Sequence, residues 1–276
     1  MVAGRRLDPG AARLTVRPRG HPMSNPLRAA YEALIYAVTL AILALLSFLW
    51  SACAWMLRPL LPERIGIAIG RRAIMTGFRF YAWLLSVTGA YRFDLGELHA
   101  LRDAPAMILA PNHPTLLDAP MILSRLPNLA CVMKASVGRN PLFGGGARLA
   151  RYVSNDSPRQ MIRESVETLR RGGHLLLFPE GTRTAQDPIN ALGGGIGAIA
   201  KRAGVPVQTL LIETDSPFLG KRWRLTRPPR LPIRYRARLG RRFAPPTDAG
   251  RLVADLEVYF RGALAAADAS APTERR

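Results

Sequence analysis

From about residue 91 onward, short apolar runs alternate with longer segments of helical character. The short runs predict buried strands over residues 106–110, 129–133, 174–178, 205–212 and 232–238. The longer segments predict helices over residues 117–126, 141–151, 158–171, 191–203 and 248–267. Because strands interleave with helices, the pattern predicts an α/β domain with a largely parallel central sheet flanked by helices.

Two apolar segments precede this domain. Residues 34–57 carry no charge and are long enough to cross a hydrocarbon core of about 30 Å. Residues 63–90 mix aromatic residues with arginines, which is typical of an amphipathic helix at a membrane interface. We therefore predict an N-terminal membrane-associated helical pair. Two arrangements fit, a helix that spans the bilayer and a hairpin in one leaflet, and the competing interpretation is a core helix of a soluble domain.

Residues 1–26 are rich in Arg, Pro and Gly and lack apolar periodicity, so they predict a disordered basic tail. Met23 offers an alternative start, and residues 1–22 are then either a natural tail or not translated. The chain is thus divided into a tail over residues 1–26, membrane-anchoring helices over residues 27–90, and an α/β domain over residues 91–276.

Charge changes the picture of possible partners. The formal net charge is +20, which favours anionic partners such as lipid headgroups, phosphorylated ligands or nucleic acid. The few aromatic residues are not interleaved with the basic ones, as a single-strand nucleic-acid surface requires, so no nucleic-acid partner is expected. Cys53 and Cys131 are both expected to be buried thiols in a reducing compartment.

The first candidate for chemistry is "NHPTLLD", residues 112–118, directly after the predicted strand 106–110. Ligands of open α/β sheets bind at the carboxyl ends of the strands, and His113 lies on a loop at such an end. Thr115 is expected to cap the next helix and Asp118 to lie in its first turn. An Asp bonded to one imidazole nitrogen fixes the tautomer in which the other nitrogen accepts a proton. The competing interpretation is a structural His and Asp in a turn.

The second candidate is "HLLLFPEGTRT", residues 174–184, a strand followed by a sharp turn. Glu180, Thr182 and Arg183 are expected at the same sheet edge as His113. Arginine and backbone N–H groups suit a phosphate or another anion. His174 opens the strand, and we interpret it as structural.

Taken together, "NHPTLLD" and "FPEGTR" resemble the two signature motifs of the lysophospholipid acyltransferase family of glycerolipid acyltransferases. The resemblance covers roughly residues 75–240. It implies that His113 is the general base, oriented by Asp118, for a hydroxyl that attacks an acyl thioester directly. It also implies that the acceptor is bound by Glu180, Gly181, Thr182 and Arg183. No cofactor or metal is expected, with acyl-CoA or acyl carrier protein as co-substrate.

A third segment, around Lys134 and Arg139, resembles the basic acceptor-side residues of the family. Farther on, the family pattern has an arginine that meets the acceptor phosphate, and this chain reads Ser154-Asn155-Asp156 at that place. Only Arg151 is available to replace it, and Asp156 would repel a phosphate if it faced the pocket. The departure weakens the case for lysophosphatidic acid. An aryl-polyene-type lipid is an alternative acceptor.

The sequence thus predicts a membrane-bound O-acyltransferase that acts on a lysophospholipid such as 1-acyl-glycerol-3-phosphate, at a bacterial inner membrane. Arginines before the apolar run and the cytosolic supply of acyl thioesters place the catalytic domain in the cytoplasm. The alternative is a non-catalytic basic protein that binds membrane lipids. The basic run from Lys221 to Arg242 is interpreted either as a solvated strand or as a surface for anionic lipid or the donor's phosphates. The oligomeric state stays open.

Overall fold

A seven-stranded sheet lies at the centre of the structure, a computed structural model that describes residues 25–186 and 188–270. The strands are β1 (Tyr91–Asp94), β2 (Ile108–Pro111), β3 (Leu129–Met133), β4 (Val153–Ser154), β5 (His174–Leu176), β6 (Val207–Thr214) and β7 (Ile233–Phe243). Their spatial order is β1-β7-β6-β2-β5-β3-β4. All neighbouring strands pair in parallel except β6 and β7, which are antiparallel. The predicted largely parallel sheet is confirmed.

Helices cover both faces of the sheet. They are α1 (Pro26–Leu57), α2 (Glu63–Val87), α3 (Asp118–Leu123), α4 (Ala135–Arg139), α5 (Gly144–Leu149), α6 (Pro158–Arg170), α7 (Gly195–Ala203) and α8 (Ala249–Ser270), with a 3-10 helix at Gly96–Leu101. One buried cluster joins α2 and α3 to the sheet, and a second joins α6, α7 and α8 to the opposite face. The inner strands are buried on both sides, which explains why they read as continuous apolar runs.

The predicted elements correspond to observed ones, with shifted ends. The strand predicted over residues 232–238 continues to Phe243, because β7 pairs with β6 along most of its length. The pattern missed β1, β4 and α4, which are only 4, 2 and 5 residues long. Such short segments complete too few periods to be recognised and are fixed by their neighbours in the sheet.

The helix α1 is apolar and largely exposed. It is the one described helix that is long and apolar enough to cross a membrane, and only 6% of its most apolar window is buried. Contiguous exposed apolar surface of this extent marks a membrane or protein interaction site. Cys53 lies on this exposed surface, so the expectation that both cysteines are buried is wrong for Cys53 and right for Cys131.

The second helix, α2, has two different faces. Tyr81, Ala82 and Leu85 belong to the buried cluster beneath the sheet, whereas Phe80 and Trp83 are exposed. The helix therefore combines features of the interfacial helix and of the core helix that the sequence left as alternatives. The tail predicted over residues 1–26 lies outside the described residues except for its last two, and α1 already begins at Pro26. The predicted domain divisions remain predictions.

Candidate active site

The loop after β2 carries the first motif and is fixed to the neighbouring strand β6. The side-chain amide of Asn112 donates to the carbonyl oxygen of Ile212 at 3.0 Å, and its oxygen accepts the Ile212 amide N–H at 2.7 Å. Asn112 thereby acts as a substitute strand residue at the point where β2 ends. His113, the next residue, leaves the sheet at the carboxyl edge, where the sequence placed it.

Asp118 is fully buried and accepts hydrogen bonds from several sides. Its Oδ2 lies 2.7 Å from Nδ1 of His113 and accepts the amide N–H of Thr115 at 2.9 Å. Its Oδ1 accepts the Tyr235 hydroxyl at 3.1 Å and the Thr115 hydroxyl at 3.2 Å. Burial raises the pKa of Asp118, while the hydrogen bonds from His113, Thr115 and Tyr235 act in the opposite direction. A carboxylate surrounded by donors holds the His113 proton on Nδ1 and leaves Nε2 as the acceptor.

Thr115 closes the turn before α3. Its hydroxyl oxygen accepts the amide N–H of Leu117 at 2.8 Å, while Asp118 accepts the N–H of Thr115. This reciprocal pair resembles a capping box. The N-cap itself is Leu117, so the expectation that Thr115 caps the helix is wrong. Thr115 instead fixes the turn two residues before the N-cap, and Asp118 is the first residue of the helix.

The His113 ring is held on its face as well as at its edge. It stacks on Phe178, with 3.9 Å between the ring centroids and 26° between the planes. The His113 side chain keeps 15% of its surface exposed. The ring is therefore oriented by two contacts and still open to a substrate.

The second motif follows β5 and is tied directly to the first. Glu180 is buried, and its Oε1 accepts the amide N–H of His113 at 2.9 Å and the Thr184 hydroxyl at 2.7 Å. Its Oε2 accepts the amide N–H of Asn190 at 2.9 Å. Gly181 makes the turn with a φ of 65°, a left-handed conformation that glycine adopts without strain. The structure thus brings Glu180 to His113, but with its carboxylate bonded to the protein.

Thr182 and Arg183 follow the turn and are partly exposed. Nη1 of Arg183 donates to the carbonyl oxygens of Leu219 and Gly220 at 2.8 and 2.7 Å. The amide N–H of Leu116 in the first motif also donates to the Leu219 carbonyl, at 3.2 Å. Both motifs are therefore joined to the segment that follows β6, and part of the Arg183 donor capacity is used within the protein.

Lys134 and Arg139 lie at the two ends of α4 and are exposed. Arg139 approaches Asp156 to 3.6 Å, so this carboxylate faces Arg139. Arg151, the sequence's only substitute for the family arginine, pairs with Glu63 at 3.1 Å. Among the described residues, no hydrogen bond or ion pair joins Lys134 or Arg139 to His113 or Glu180.

Three contacts of the site were not foreseen from the sequence. Phe178 and Asn112 lie in the two motifs and Tyr235 lies in a predicted strand, but no role was assigned to any of them. The alternation of "IRYRARLG" indicates that Tyr235 points inward, but its partner is 117 residues away along the chain. His174 is buried at the start of β5, and burial lowers its pKa, as expected for a structural histidine.

The fold and the two motifs can now be compared with those of known proteins. The acyltransferase family model matches residues 70–213, just over half of the chain. The chain therefore belongs to the acyltransferase family. Both motifs lie within the matched residues, whereas Tyr235 and α1 lie outside them.

Two relatives come from Pseudomonas aeruginosa. A 1-acyl-sn-glycerol-3-phosphate acyltransferase is 27% identical over 167 residues, which is 58% of this chain and 63% of the relative. A lyso-ornithine lipid O-acyltransferase is 33% identical over 153 residues, 50% of this chain and 57% of the relative. The chain thus matches less than two thirds of the length of either relative.

A solved structure shares the fold. The crystal structure of the 1-acyl-sn-glycerophosphate acyltransferase PlsC from Thermotoga maritima superposes with a TM-score of 0.66 at 18% identity. The superposition covers 90% of this chain and 99% of that chain. The superposed part of the chain is therefore longer than the family match over residues 70–213.

Proposed function

We propose that this protein is a membrane-bound O-acyltransferase that moves an acyl chain from acyl-CoA or acyl carrier protein to a hydroxyl of a lysolipid. The observation that carries the proposal is the 2.7 Å contact between His113 Nδ1 and the buried Asp118, which leaves Nε2 as a proton acceptor. This geometry is that of a general base and its orienting carboxylate.

The reaction needs no acyl-enzyme. His113 Nε2 takes the proton of the acceptor hydroxyl while the hydroxyl oxygen attacks the thioester carbonyl carbon. The C–S bond then breaks, and the leaving thiolate receives the proton from the imidazolium. Asp118 stabilises the imidazolium formed between these two steps. The thioester is already activated, and the chain supplies orientation and proton transfer.

Substitution of His113 tests this role. His113→Ala should lower turnover at least about a hundredfold, because general-base catalysis typically contributes that much or more. His99→Ala, at an exposed position of the 3-10 helix, is the matched control and should leave turnover unchanged. Near-normal turnover in folded His113→Ala protein would contradict the mechanism. A wild-type protein that binds lipid but transfers no acyl chain would favour the non-catalytic alternative.

Two acceptors are supported by different observations. The family resemblance and one relative favour 1-acyl-glycerol-3-phosphate. The contacts of the arginines within the protein favour a lysolipid without a phosphate monoester, such as a lyso-ornithine lipid or an aryl-polyene-type lipid. Arg183 donates to two carbonyl oxygens, Arg139 faces Asp156, and Arg151 pairs with Glu63. Recognition of a phosphate monoester usually needs several convergent donors.

Membrane attachment is proposed through α1 and the exposed face of α2. The α/β domain contacts α1 near both ends. Arg28 donates to the Leu231 carbonyl at 2.9 Å, and the Ser51 hydroxyl accepts the amide N–H of Gly145 at 2.8 Å. These contacts are about 34 Å apart along the helix, more than the hydrocarbon core of about 30 Å. One domain cannot hold both if α1 crosses the bilayer upright, which favours a hairpin in one leaflet, on the cytoplasmic side of the inner membrane.

A further inference from the structure

The segment between β6 and β7 lies against the first third of α1. We name residues 219–231 the basic loop. The Tyr36 hydroxyl donates to the carbonyl oxygen of Leu225 at 2.6 Å, and Arg28 holds the Leu231 carbonyl at the other end. The loop is therefore fixed beside the apolar surface of α1, at the edge of the proposed membrane anchor.

Aromatic contacts hold the middle of the basic loop in one conformation. Phe218 packs edge-on against Tyr36 at 5.7 Å and against Trp223 at 5.5 Å between ring centroids. The indole N–H of Trp223 donates to the Arg227 carbonyl at 3.0 Å, and the Arg227 guanidinium lies 5.1 Å from the Trp223 ring centroid. The Arg227 charge is thus positioned by the protein, which lowers the entropic cost of binding an anion.

A groove of about 510 Å³ lies between the basic loop and α1, beside the contacts that join them. It is lined by Ala33, Tyr36, Ala37, Leu40, Ala41 and Ala44 of α1 and by Leu225, Thr226 and Pro228 of the loop. Its helical wall runs from Ala33 to Ala44, twelve residues that span about 16 Å. The wall is apolar along this length, so the groove offers a track for an alkyl chain next to the proposed membrane surface.

The loop that forms one side of the groove is strongly basic. The loop carries five exposed cations, Lys221, Arg222, Arg224, Arg227 and Arg230. The sequence from residue 216 to residue 247 contains no acidic residue. None of the ion pairs among the described residues involves these five side chains, and Glu32, the acid of α1 near the loop, is paired with Arg28 at 3.2 Å. The charge is therefore available to an external anion.

We propose that the groove and the basic loop bind an anionic diacyl phospholipid of the membrane, with one acyl chain along α1 and the headgroup phosphate on the loop arginines. The apolar groove is complementary to the acyl chain of such a lipid, and the unpaired cations of the loop are complementary to its charged headgroup. A zwitterionic lipid has the acyl chain but no net negative charge. None of the residues that line the groove belongs to either motif, and the contact with the His113 site is limited to the start of the loop, where Arg183 donates to Leu219 and Gly220. The proposal goes beyond acyl transfer, since it assigns a second lipid to the protein.

Native mass spectrometry of the full chain in a neutral detergent tests the site directly. The probes are palmitoyl-oleoyl phosphatidylglycerol and phosphatidylcholine with the same chains. Wild-type protein should retain the phosphatidylglycerol at least about fivefold better, because basic segments attract anionic lipid. The triple variant Arg222→Gln, Arg224→Gln, Arg227→Gln should lose this preference. The assay contains no acyl donor, so its outcome is separate from that of the catalytic proposal.

The matched control removes the same charge elsewhere. The control triple variant carries Arg159→Gln, Arg163→Gln and Arg202→Gln, at exposed positions of α6 and α7. It should leave lipid retention unchanged. Ala37→Phe, at an exposed position of α1, fills the groove and should reduce retention of both lipids. Equal retention of both lipids by the wild type, or an equal loss in the control triple variant, would overturn the proposal. Lysophosphatidic acid serves as a third probe, and its retention in place of phosphatidylglycerol would also overturn the proposal, since the groove would then belong to the acceptor.

Discussion

Tyr235 shows how a single side chain outside both motifs contributes to the site. The Tyr235 side chain is buried and its hydroxyl donates to Asp118. Tyr235 lies on β7, which pairs antiparallel with β6 and lies next to the edge strand β1. A hydrogen bond to the ionised form of a carboxylate stabilises that form. Tyr235 is therefore a positioning residue for Asp118, as Phe178 is for the His113 ring.

Removal of the Tyr235 hydroxyl should change both turnover and its pH dependence. In Tyr235→Phe the Asp118 carboxylate loses a donor, so the His113–Asp118 pair takes up a proton more readily. The acid limb of the pH–rate profile should then move to higher pH. Turnover should fall at least about tenfold, because a hydrogen bond to a charged group contributes about 1.5–3 kcal/mol. Measured kcat/KM as a function of pH provides the test.

Tyr259→Phe is the control for that variant. Tyr259 also bonds its hydroxyl within the β7 region, by accepting the amide N–H of Arg241 at 3.0 Å, but away from Asp118. Loss of its hydroxyl should leave the pH profile in place. If both variants moved the profile equally, or neither did, Tyr235 would have a packing role only.

At the scale of elements, the proposed membrane attachment depends on α1 and α2. In the proposed one-leaflet hairpin, the turn between them stays on the side of the α/β domain. Leu60, which is 75% exposed, lies in that turn. Leu60→Cys in a Cys53→Ser background should be labelled by a membrane-impermeant maleimide only from the cytoplasmic side of sealed vesicles, since Cys131 is buried. Labelling from the opposite side would refute the hairpin and indicate a spanning α1.

The packing of α2 against α5 depends on close backbone approach at Gly70. A Cβ atom at this position would lie 2.7 Å from the backbone amide nitrogen of Ala150, which is too close for two non-bonded atoms. Gly70→Ala should therefore lower the free energy of unfolding by about 1–3 kcal/mol, the usual cost of overpacking. Thermal unfolding in detergent measures the change.

Gly77 on the same helix provides the matched comparison. A Cβ at Gly77 meets nothing within 4 Å. Gly77→Ala should raise the free energy of unfolding by about 0.5–1 kcal/mol, because alanine is the better helix former. An equal loss of stability in both variants would show that α2 tolerates neither change and that the Gly70 contact is not the cause.

For the whole molecule, the distribution of charge bears on the acceptor. The net charge of +20 attracts anionic lipids in general, but the arginines near the site are partly engaged by the protein. We therefore expect an enzyme that tolerates anionic acceptors without requiring a phosphate monoester. Purified enzyme with one acyl donor, supplied with lysophosphatidic acid, a lyso-ornithine lipid and a zwitterionic lysolipid, distinguishes the acceptors. Lysophosphatidic acid as the sole substrate, with kcat/KM at least about a hundredfold above the others, would contradict this expectation.

Much of the fold was contained in local sequence patterns. The apolar runs around Leu109, Ala130 and Leu175 predicted the inner parallel strands, because strands covered on both faces exclude polar residues. The uncharged run 34–57 predicted α1 and its membrane role, which remains a proposal, since a helix that faces lipid must be apolar along its length. The motifs around His113 and Glu180 could also be recognised from the sequence, because the carboxyl ends of parallel strands lie at one edge of the sheet.

The partners of those residues were decided by the tertiary structure alone. Glu180 was expected to bind substrate, but the approach of the two loops gives its carboxylate three donors within the protein. Tyr235 contacts Asp118 because β7, on which Tyr235 lies, pairs antiparallel with β6. The basic loop connects these two strands and contacts α1, which is far away along the chain. Local periodicity reports which face of an element is buried, whereas the contact across 100 or more residues depends on strand order, which no local pattern encodes.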